Sequence, residues 1–200
     1  MRDLIRIVFI SGIILIFFSC KKDNNSLSQS DSAIRYRYFN LQNQGWKSKN
    51  HLQTVDNISF TATEVPIQYY LLKDLGNTDV IKVDSIYEEN KRERVIEFVF
   101  EEKDQKDLLQ EEFTHLNYKN AVEYMSFKIQ NDFKIVTSAK DTINCTGAIF
   151  ERSFKIAPYN KLLLFFSNVT PEDKVQLIYQ DNLFKKGTLK FRFKEPILNL

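Results

Sequence analysis

The sequence predicts a mainly β protein, an antiparallel β-sandwich with a short helical insert around residues 104–125. Aromatic residues are abundant, with 17 Phe and 9 Tyr, whereas Gly and Pro are scarce. Aromatic and β-branched side chains suit the pleated surface of a sheet. Several segments alternate apolar and polar residues with the period of two that a half-buried strand requires. Turn residues interrupt these segments about every ten residues, as is typical of sandwiches and barrels.

The start of the chain has a different character. Arg2 and Arg6 precede an apolar run over residues 7–18, which ends at Ser19-Cys20 before a polar stretch. This order is typical of a secretory signal, and the run is too short for a confident membrane-spanning helix. A cysteine after a small residue at this place resembles the lipobox of bacterial prolipoproteins. The resemblance implies a signal peptide over residues 1–19 and acylation of the Cys20 thiol, which would become the mature N-terminus.

The predicted mature chain has two parts. Residues 20–33 are polar and rich in Ser and Asn. They cannot bury enough apolar surface to offset the entropy of ordering, so we interpret them as a lipidated flexible tether. Residues 34–200 are predicted to form a single β-rich domain, which is long enough for a sizeable core.

The first half of this domain has five segments that read as strands. They cover residues 34–41, 57–63, 67–72, 80–87 and 94–101. Pro66 precedes the third segment, where proline is tolerated only at a strand edge or start. The last two segments are predicted to pair as a hairpin around a charged, solvated tip at residues 88–93.

Helical periodicity is confined to residues 104–125, where Leu108, Leu109, Phe113 and Leu116 recur at spacings near 3.6 among good helix formers. Alternation then resumes. The later predicted strands cover residues 125–130, 133–136, 143–154, 161–168, 174–181 and 188–194.

Two of these later strands carry further expectations. Gly147 lies inside the segment 143–154 and predicts a bulge. In the last strand the apolar positions are predicted to face the core, while Lys190 and Arg192 face solvent.

The order FERSFKIAPYNKLLLFFSNVTPEDKVQLIYQD loosely resembles the end of immunoglobulin-like envelope domains, over residues 150–193. The resemblance implies a sandwich rather than a barrel. The Cys–Trp–Cys core of antibody domains is absent, because Cys145 has no partner cysteine in the domain and Trp46 lies far upstream.

The charges and reactive residues argue against several functions. A net charge of +2 with basic and acidic residues interspersed argues against a nucleic-acid or polyanion partner, which would need a basic face. Glu111 and His115 could share a helix face, but such a pair without further ligands more often stays solvated. Cys145 could pair with His115 as a dyad, although a lone thiol in an apolar strand is usually a small buried hydrophobe. We therefore expect no enzyme, no metal and no cofactor.

Three Asp-Ser/Thr-apolar motifs suggest modification. They contain Ser32, Ser85 and Thr142, and they resemble the O-glycosylation motif of exported proteins of Bacteroidota. The Cys-Lys-Lys-Asp start is also similar to lipoproteins of that group. The alternative interpretation is that Asp-Ser and Asp-Thr are ordinary turn pairs.

These observations favour a membrane-anchored envelope lipoprotein, held on the outer membrane through Cys20, that acts as a non-catalytic interaction or scaffolding module with an envelope protein partner. Orientation toward the periplasm or the cell surface stays open. The alternative is a small-ligand or glycan-binding module that stacks its ligand on Trp46, Tyr69, Tyr70 or Tyr36. A hydrolase built on His115 and Cys145 is the third and weakest hypothesis.

Overall fold

A computed structural model of the chain describes residues 50–75, 80–152 and 157–194. Within these residues, nine strands form two antiparallel sheets. The strands are β1 (Asn50–Val55), β2 (Ile58–Val65), β3 (Arg94–Glu102), β4 (Phe133–Thr137), β5 (Thr142–Asn144), β6 (Gly147–Glu151), β7 (Tyr159–Phe166), β8 (Val175–Asp181) and β9 (Gly187–Arg192). Sheet I has the order β1-β2-β3-β7-β6, and sheet II has the order β5-β4-β8-β9.

The strand order is that of an immunoglobulin-like sandwich. If β2 to β9 are lettered A, B, C, C′, D, E, F and G along the chain, sheet I becomes A-B-E-D with β1 added outside A, and sheet II becomes C′-C-F-G. The predicted mainly β sandwich is therefore confirmed. The segment that carried the resemblance supplies β7 to one sheet and the neighbours β8 and β9 to the other.

The two sheets meet through aromatic rings. Phe98 on β3 contacts Phe133, Tyr179 and Phe191 of sheet II, with ring centroids 5.0 to 5.3 Å apart in edge-to-face arrangements. Phe133 and Tyr179 stack on each other at 4.5 Å. Strands B and F carry the cross-sheet disulfide of antibody domains. Here the same strands are joined by the Phe98–Tyr179 contact instead.

Among the described residues, four α-helices and two further helical turns lie in two connections of the sandwich. The helices α1 (Ile67–Leu75) and α2 (Val80–Asn90) lie between β2 and β3. The helices α3 (Glu111–Thr114) and α4 (Tyr118–Glu123) lie between β3 and β4, followed by a π-helical turn (Tyr124–Lys128) and a 3₁₀ turn (Ile129–Asp132). Asn117 caps α4, because its side chain accepts the Asn120 N–H at 2.9 Å. The helical insert predicted around residues 104–125 is thus present.

Most of the predicted strands are found. Segments 57–63, 94–101, 133–136, 161–168, 174–181 and 188–194 correspond to β2, β3, β4, β7, β8 and β9. In the last of these, Leu189, Phe191 and Phe193 are buried, whereas Lys190 and Arg192 are exposed as predicted. The predicted strand 34–41 and the segments 1–19 and 20–33 lie outside the described residues.

Two predicted strands were wrong, because residues 67–72 and 80–87 form α1 and α2. Pro66 directly precedes α1 and is a helix-start residue here rather than a sign of a sheet edge. In α2, Val83 is fully buried while the neighbouring Ile81 is exposed. The run of β-branched residues favoured a strand, but burial of one helix face overrides that local preference. The predicted hairpin of 80–87 with 94–101 is accordingly absent.

Two further segments also differ. Residues 125–130 form the π-helical and 3₁₀ turns instead of a strand, and residues 143–154 contain two strands that belong to different sheets. The chain crosses between the sheets at Cys145 and Thr146, whose N–H groups donate to Phe133 O on one side and Phe165 O on the other. Gly147 therefore opens β6 and does not form a bulge inside a continuous strand.

Candidate interaction surfaces

The residues expected to carry modifications lie partly outside the described ranges. Cys20 and Ser32 fall before residue 50, as do Tyr36 and Trp46. Ser85 is exposed on α2, and Thr142 is exposed at the start of β5. Both hydroxyls are therefore accessible, although Ser85 lies on a helix rather than on the predicted strand.

Glu111 and His115 lie at the two ends of α3. His115 terminates the helix with φ 56°, and its N–H donates to the Glu111 carbonyl at 2.9 Å. The His115 side chain is exposed and lines a hollow of about 210 Å³ together with Asp56, Glu112 and Lys186. In the part of the chain that the structure describes, no three His, Cys, Asp or Glu side chains are grouped so that they could hold a metal ion.

Cys145 is half-buried at the crossing between β5 and β6. Its thiol donates to the Gly147 carbonyl at 3.0 Å, and burial raises the pKa of the thiol. A raised pKa disfavours the nucleophilic thiolate. Cys145 is also not among the residues that line the hollow beside His115, so the site does not bring the two members of the suggested dyad together.

The two tyrosines proposed as stacking platforms have partners within the protein. Tyr69 and Tyr70 pack edge to face at 5.3 Å and lie against the buried Val65. The Tyr70 hydroxyl donates to Glu97 at 2.6 Å. Burial and this hydrogen bond raise the pKa of Tyr70 well above its ordinary range. The pair therefore attaches α1 to the outer face of sheet I.

The structure also contains a buried polar cluster that the sequence did not reveal. Asp132, which is 6% exposed, accepts hydrogen bonds from the Tyr124 hydroxyl at 2.8 Å and from the Asn182 amide at 2.7 Å. Burial raises the pKa of Asp132. Asp181 accepts from the Tyr179 hydroxyl at 2.7 Å. Asn182 lies 50 residues from Asp132 in the chain, so no local sequence pattern marks this contact.

A buried ion pair lies at the start of β3. Arg94 and Glu64 are 1% and 2% exposed at the side chain, with 2.9 Å between Arg94 Nη1 and Glu64 Oε1. Nη2 of Arg94 donates to the carbonyls of Thr170, Pro171 and Asp173 at 2.7 to 3.0 Å. Arg94 thus fixes the loop between β7 and β8, which leads to one end of sheet II.

The outer face of sheet II is basic. Lys134 on β4, Ile178 on β8 and Lys190 on β9 lie side by side in one outward row. Val136, Gln176 and Arg192 form another outward row across the same strands. Lys174 and Lys194 lie at the end where β8 begins and β9 stops. We call the five exposed cations the basic face: Lys134, Lys174, Lys190, Arg192 and Lys194.

A shallow hollow of about 450 Å³ lies at one end of the basic face. Lys174, Arg192 and Lys194 line it together with Thr137, Ser138 and Gln176. None of the five cations forms an ion pair with any residue in the described ranges. Asp173, which lies nearby, accepts hydrogen bonds from the hydroxyls of Ser138 and Thr170, and these bonds lower its pKa.

A second surface is apolar. Phe127 in the π-helical turn is 74% exposed, and Ile149 on β6 is 53% exposed. The π-helical turn packs beside β6, which is the edge strand of sheet I. We call this pair the apolar edge. Lone exposed apolar residues are ordinary, but two on neighbouring elements at a sheet edge form a candidate contact surface.

Among the described residues, no helix has the length and apolar character required to cross a membrane.

Comparison with known proteins identifies two similar solved structures. No protein-family model matches the chain, and no curated protein matches it. Among solved structures, a DUF4426 family protein from Pseudomonas aeruginosa is similar with a TM-score of 0.40 and 9% identity, over 75% of this chain and 95% of that one. A protein of unknown function from Burkholderia pseudomallei is similar with a TM-score of 0.37 and 8% identity, over 88% of this chain and 93% of that one.

Proposed function

We propose that the protein is a membrane-anchored envelope lipoprotein whose immunoglobulin-like domain acts as a non-catalytic interaction module. The lipid on Cys20 holds the chain on the outer membrane, and the domain contacts a protein subunit of an envelope assembly. Anchoring confines the domain near other membrane proteins and so raises its effective concentration toward them.

The apolar edge is the observation that carries the interaction role. Phe127 and Ile149 expose large apolar side chains beside the edge strand β6. Interfaces concentrate their binding energy in a few large, buried anchors, among which aromatic side chains are frequent. A partner that covered both side chains would bury apolar surface that water now contacts.

The ligand-binding alternative has less support. Two of its proposed platforms, Tyr69 and Tyr70, contact each other and Val65, and the Tyr70 hydroxyl is bonded to Glu97. Stacking on a ligand would therefore rest on Trp46 and Tyr36, which lie outside the described residues.

The experiment that tests the anchor uses cells fed with labelled fatty acid. We expect label on the wild-type protein and none on Cys20→Ala. Label retained by Cys20→Ala would contradict acylation at this cysteine.

The interaction role is tested by the native mass of the detergent-extracted full chain. We expect wild type to run in a large assembly and the double variant Phe127→Ser with Ile149→Ser to run alone. The matched control is Leu52→Ser with Ile81→Ser, since these side chains are 63% and 82% exposed at other places on the domain. A wild-type protein that runs alone, or a control that dissociates equally, would refute the interaction at the apolar edge.

A further inference from the structure

We propose that the basic face docks the domain on an anionic phospholipid surface, so that the outer face of sheet II lies against the membrane that holds the anchor. This inference rests on the proposed function, because it takes Cys20 as the point of attachment. It specifies in addition which face of the domain lies against the membrane.

Charge complementarity is the first argument. Along the strands of sheet II, the outward positions carry Lys134, Lys190 and Arg192 but no acidic residue. The whole chain has 28 basic and 26 acidic residues, so this local excess is not a consequence of composition. Among the described residues, none of the five cations has an ion-pair partner, so these residues do not neutralise their charge. Lys and Arg near an anionic lipid surface are attracted by its negative potential.

The hollow supplies suitable donors. Thr137 and Gln176, which carry a hydroxyl and an amide, line it beside Lys174, Arg192 and Lys194, whereas the Ser138 hydroxyl already donates to Asp173. A lipid phosphate needs both positive charge and hydrogen-bond donors, and Arg can contact phosphate oxygens with two N–H groups. The carboxylate of Asp173, which precedes Lys174 in the chain, already accepts hydrogen bonds from Ser138 and Thr170.

The place where the chain enters the domain is the second, independent argument. β1 begins at Asn50 and runs beside β9, where the Gln53 side chain donates to the Lys190 carbonyl at 2.6 Å. The His51 ring contacts the Phe193 ring at 5.0 Å, and the positive charge of Lys194 contributes to lowering the His51 pKa. The chain from the anchor therefore reaches the domain at the same end of sheet II as the hollow.

The length of chain before Asn50 permits this orientation. Residues 21–49 separate Cys20 from β1, and such a segment spans at most about 100 Å when fully extended. Attachment alone therefore does not fix which face of the domain meets the membrane. Electrostatic attraction between the basic face and anionic lipid would fix which face meets the membrane.

The test is the reactivity of individual lysines in the reconstituted full chain. The protein is placed in vesicles of phosphatidylcholine with or without phosphatidylglycerol, and acylation of each lysine by an amine reagent is followed by mass spectrometry. We expect phosphatidylglycerol to slow acylation of Lys174, Lys190 and Lys194 about tenfold. Lys128, in the π-helical turn beside sheet I, serves as the internal reference.

A rise in salt concentration and two charge-reversal variants test whether the protection depends on the charges of the basic face. Protection should disappear when salt rises from about 0.15 M to about 1 M, because the Debye length falls from about 8 Å to about 3 Å. The double variant Arg192→Glu with Lys194→Glu should lose protection at Lys174 and Lys190. Lys103→Glu with Lys119→Glu changes the net charge equally at exposed positions away from sheet II and should keep it.

Other outcomes overturn the proposal. Equal acylation in both vesicle types would show that the basic face does not meet the lipid and would leave it to a soluble acidic partner. Protection by inorganic phosphate in pure phosphatidylcholine vesicles, with none from phosphatidylglycerol, would identify an anion pocket instead. The intact mass of the same preparation shows whether Cys20 carries its lipid. A missing anchor and a missing docking contact are therefore separate results.

Discussion

Arg94 links more of the molecule than any local pattern around it suggests. It pairs with Glu64 on the neighbouring strand and binds three carbonyls of the loop before β8. A buried ion pair contributes little compared with an apolar pair of equal volume, but removing one partner leaves an uncompensated buried charge. The effect of removing one partner and the effect of replacing both partners should therefore be measured separately.

For this pair we expect Arg94→Met to lower the free energy of unfolding by about 3–5 kcal/mol, because the buried Glu64 carboxylate loses the Arg94 charge that it contacts. The double variant Glu64→Leu with Arg94→Met should recover most of the loss. Urea unfolding of the full chain, followed by circular dichroism, measures both. Lys91→Ala, which breaks the exposed pair with Glu88, is the control and should leave the midpoint unchanged. Equal losses in the single and double variants would contradict the charge argument.

Asp132 gives the molecule a pH dependence. Burial and the nearby Asp181 raise its pKa, while hydrogen bonds from Asn182 and Tyr124 oppose the rise. The folded state therefore binds the Asp132 proton more tightly than the unfolded chain does. The resulting stability is complete below the ordinary pKa of 3.8 and is lost as the pH rises through the folded-state pKa.

We accordingly expect Asp132→Asn to flatten the decline in the free energy of unfolding that begins as the pH rises above 3.8. Tyr124→Phe removes a hydrogen bond that favours the carboxylate and should make the same decline steeper. Urea unfolding at a series of pH values measures both slopes. Parallel curves for the two variants and wild type would show that Asp132 does not titrate in this range.

At the scale of the elements, the interface between the sheets depends on Phe98. It is fully buried and contacts three aromatic rings of sheet II. Aromatic pairs in such edge-to-face geometry contribute beyond the area that they bury. Truncation of this side chain would leave a cavity between β3 and β8, the strands that a disulfide joins in antibody domains.

Phe98→Ala is expected to destabilise the domain by about 3–5 kcal/mol through this cavity. Phe127→Ala removes an equal side chain that is 74% exposed and should change stability by no more than about 0.5 kcal/mol. Thermal and urea unfolding of the two variants provide the comparison. Similar losses in both would mean that the Phe98 contacts do not hold the sheets together.

The elements also show where sequence patterns are reliable. Strands with clear alternation and one buried face, such as β3 and β9, were predicted correctly because a single period decides which side chains face the core. Helices α1 and α2 were missed because their β-branched and aromatic residues favour a strand locally, while the packing of Tyr69 and Tyr70 on Val65 and the burial of Val83 favour the helices. Arg94 could not be assigned a role from sequence, since its loop partners lie 76 to 79 residues away.

At the scale of the whole molecule, β1 joins the two sheets on one side. It pairs with β2 in sheet I, Gln53 contacts β9 in sheet II, and His51 contacts Phe193 directly after β9. Burial and Lys194 lower the His51 pKa, so the folded state favours the neutral ring. The stability that this contact supplies is complete above the ordinary pKa of 6.5 and is lost as the pH falls.

β1 should therefore loosen in acid. We expect hydrogen-exchange protection factors of the β1 amides to fall when the pH is lowered from above to below 6.5, while those of β3 do not fall. His51→Gln has no imidazole to titrate and should remove this dependence. A uniform change across β1 and β3 would assign the effect to global unfolding instead.

The position of β1 also determines how the domain responds to force. Tension applied to the chain before Asn50 reaches β1 first, because Asn50 is the free end of a strand whose ladder with β2 runs from Thr63 to Ile58. A pull away from the sheet would break those bonds one after another. The strands β2 to β9 would keep the complete immunoglobulin-like order. A pulled chain would therefore gain length by releasing one strand before the sandwich itself opened.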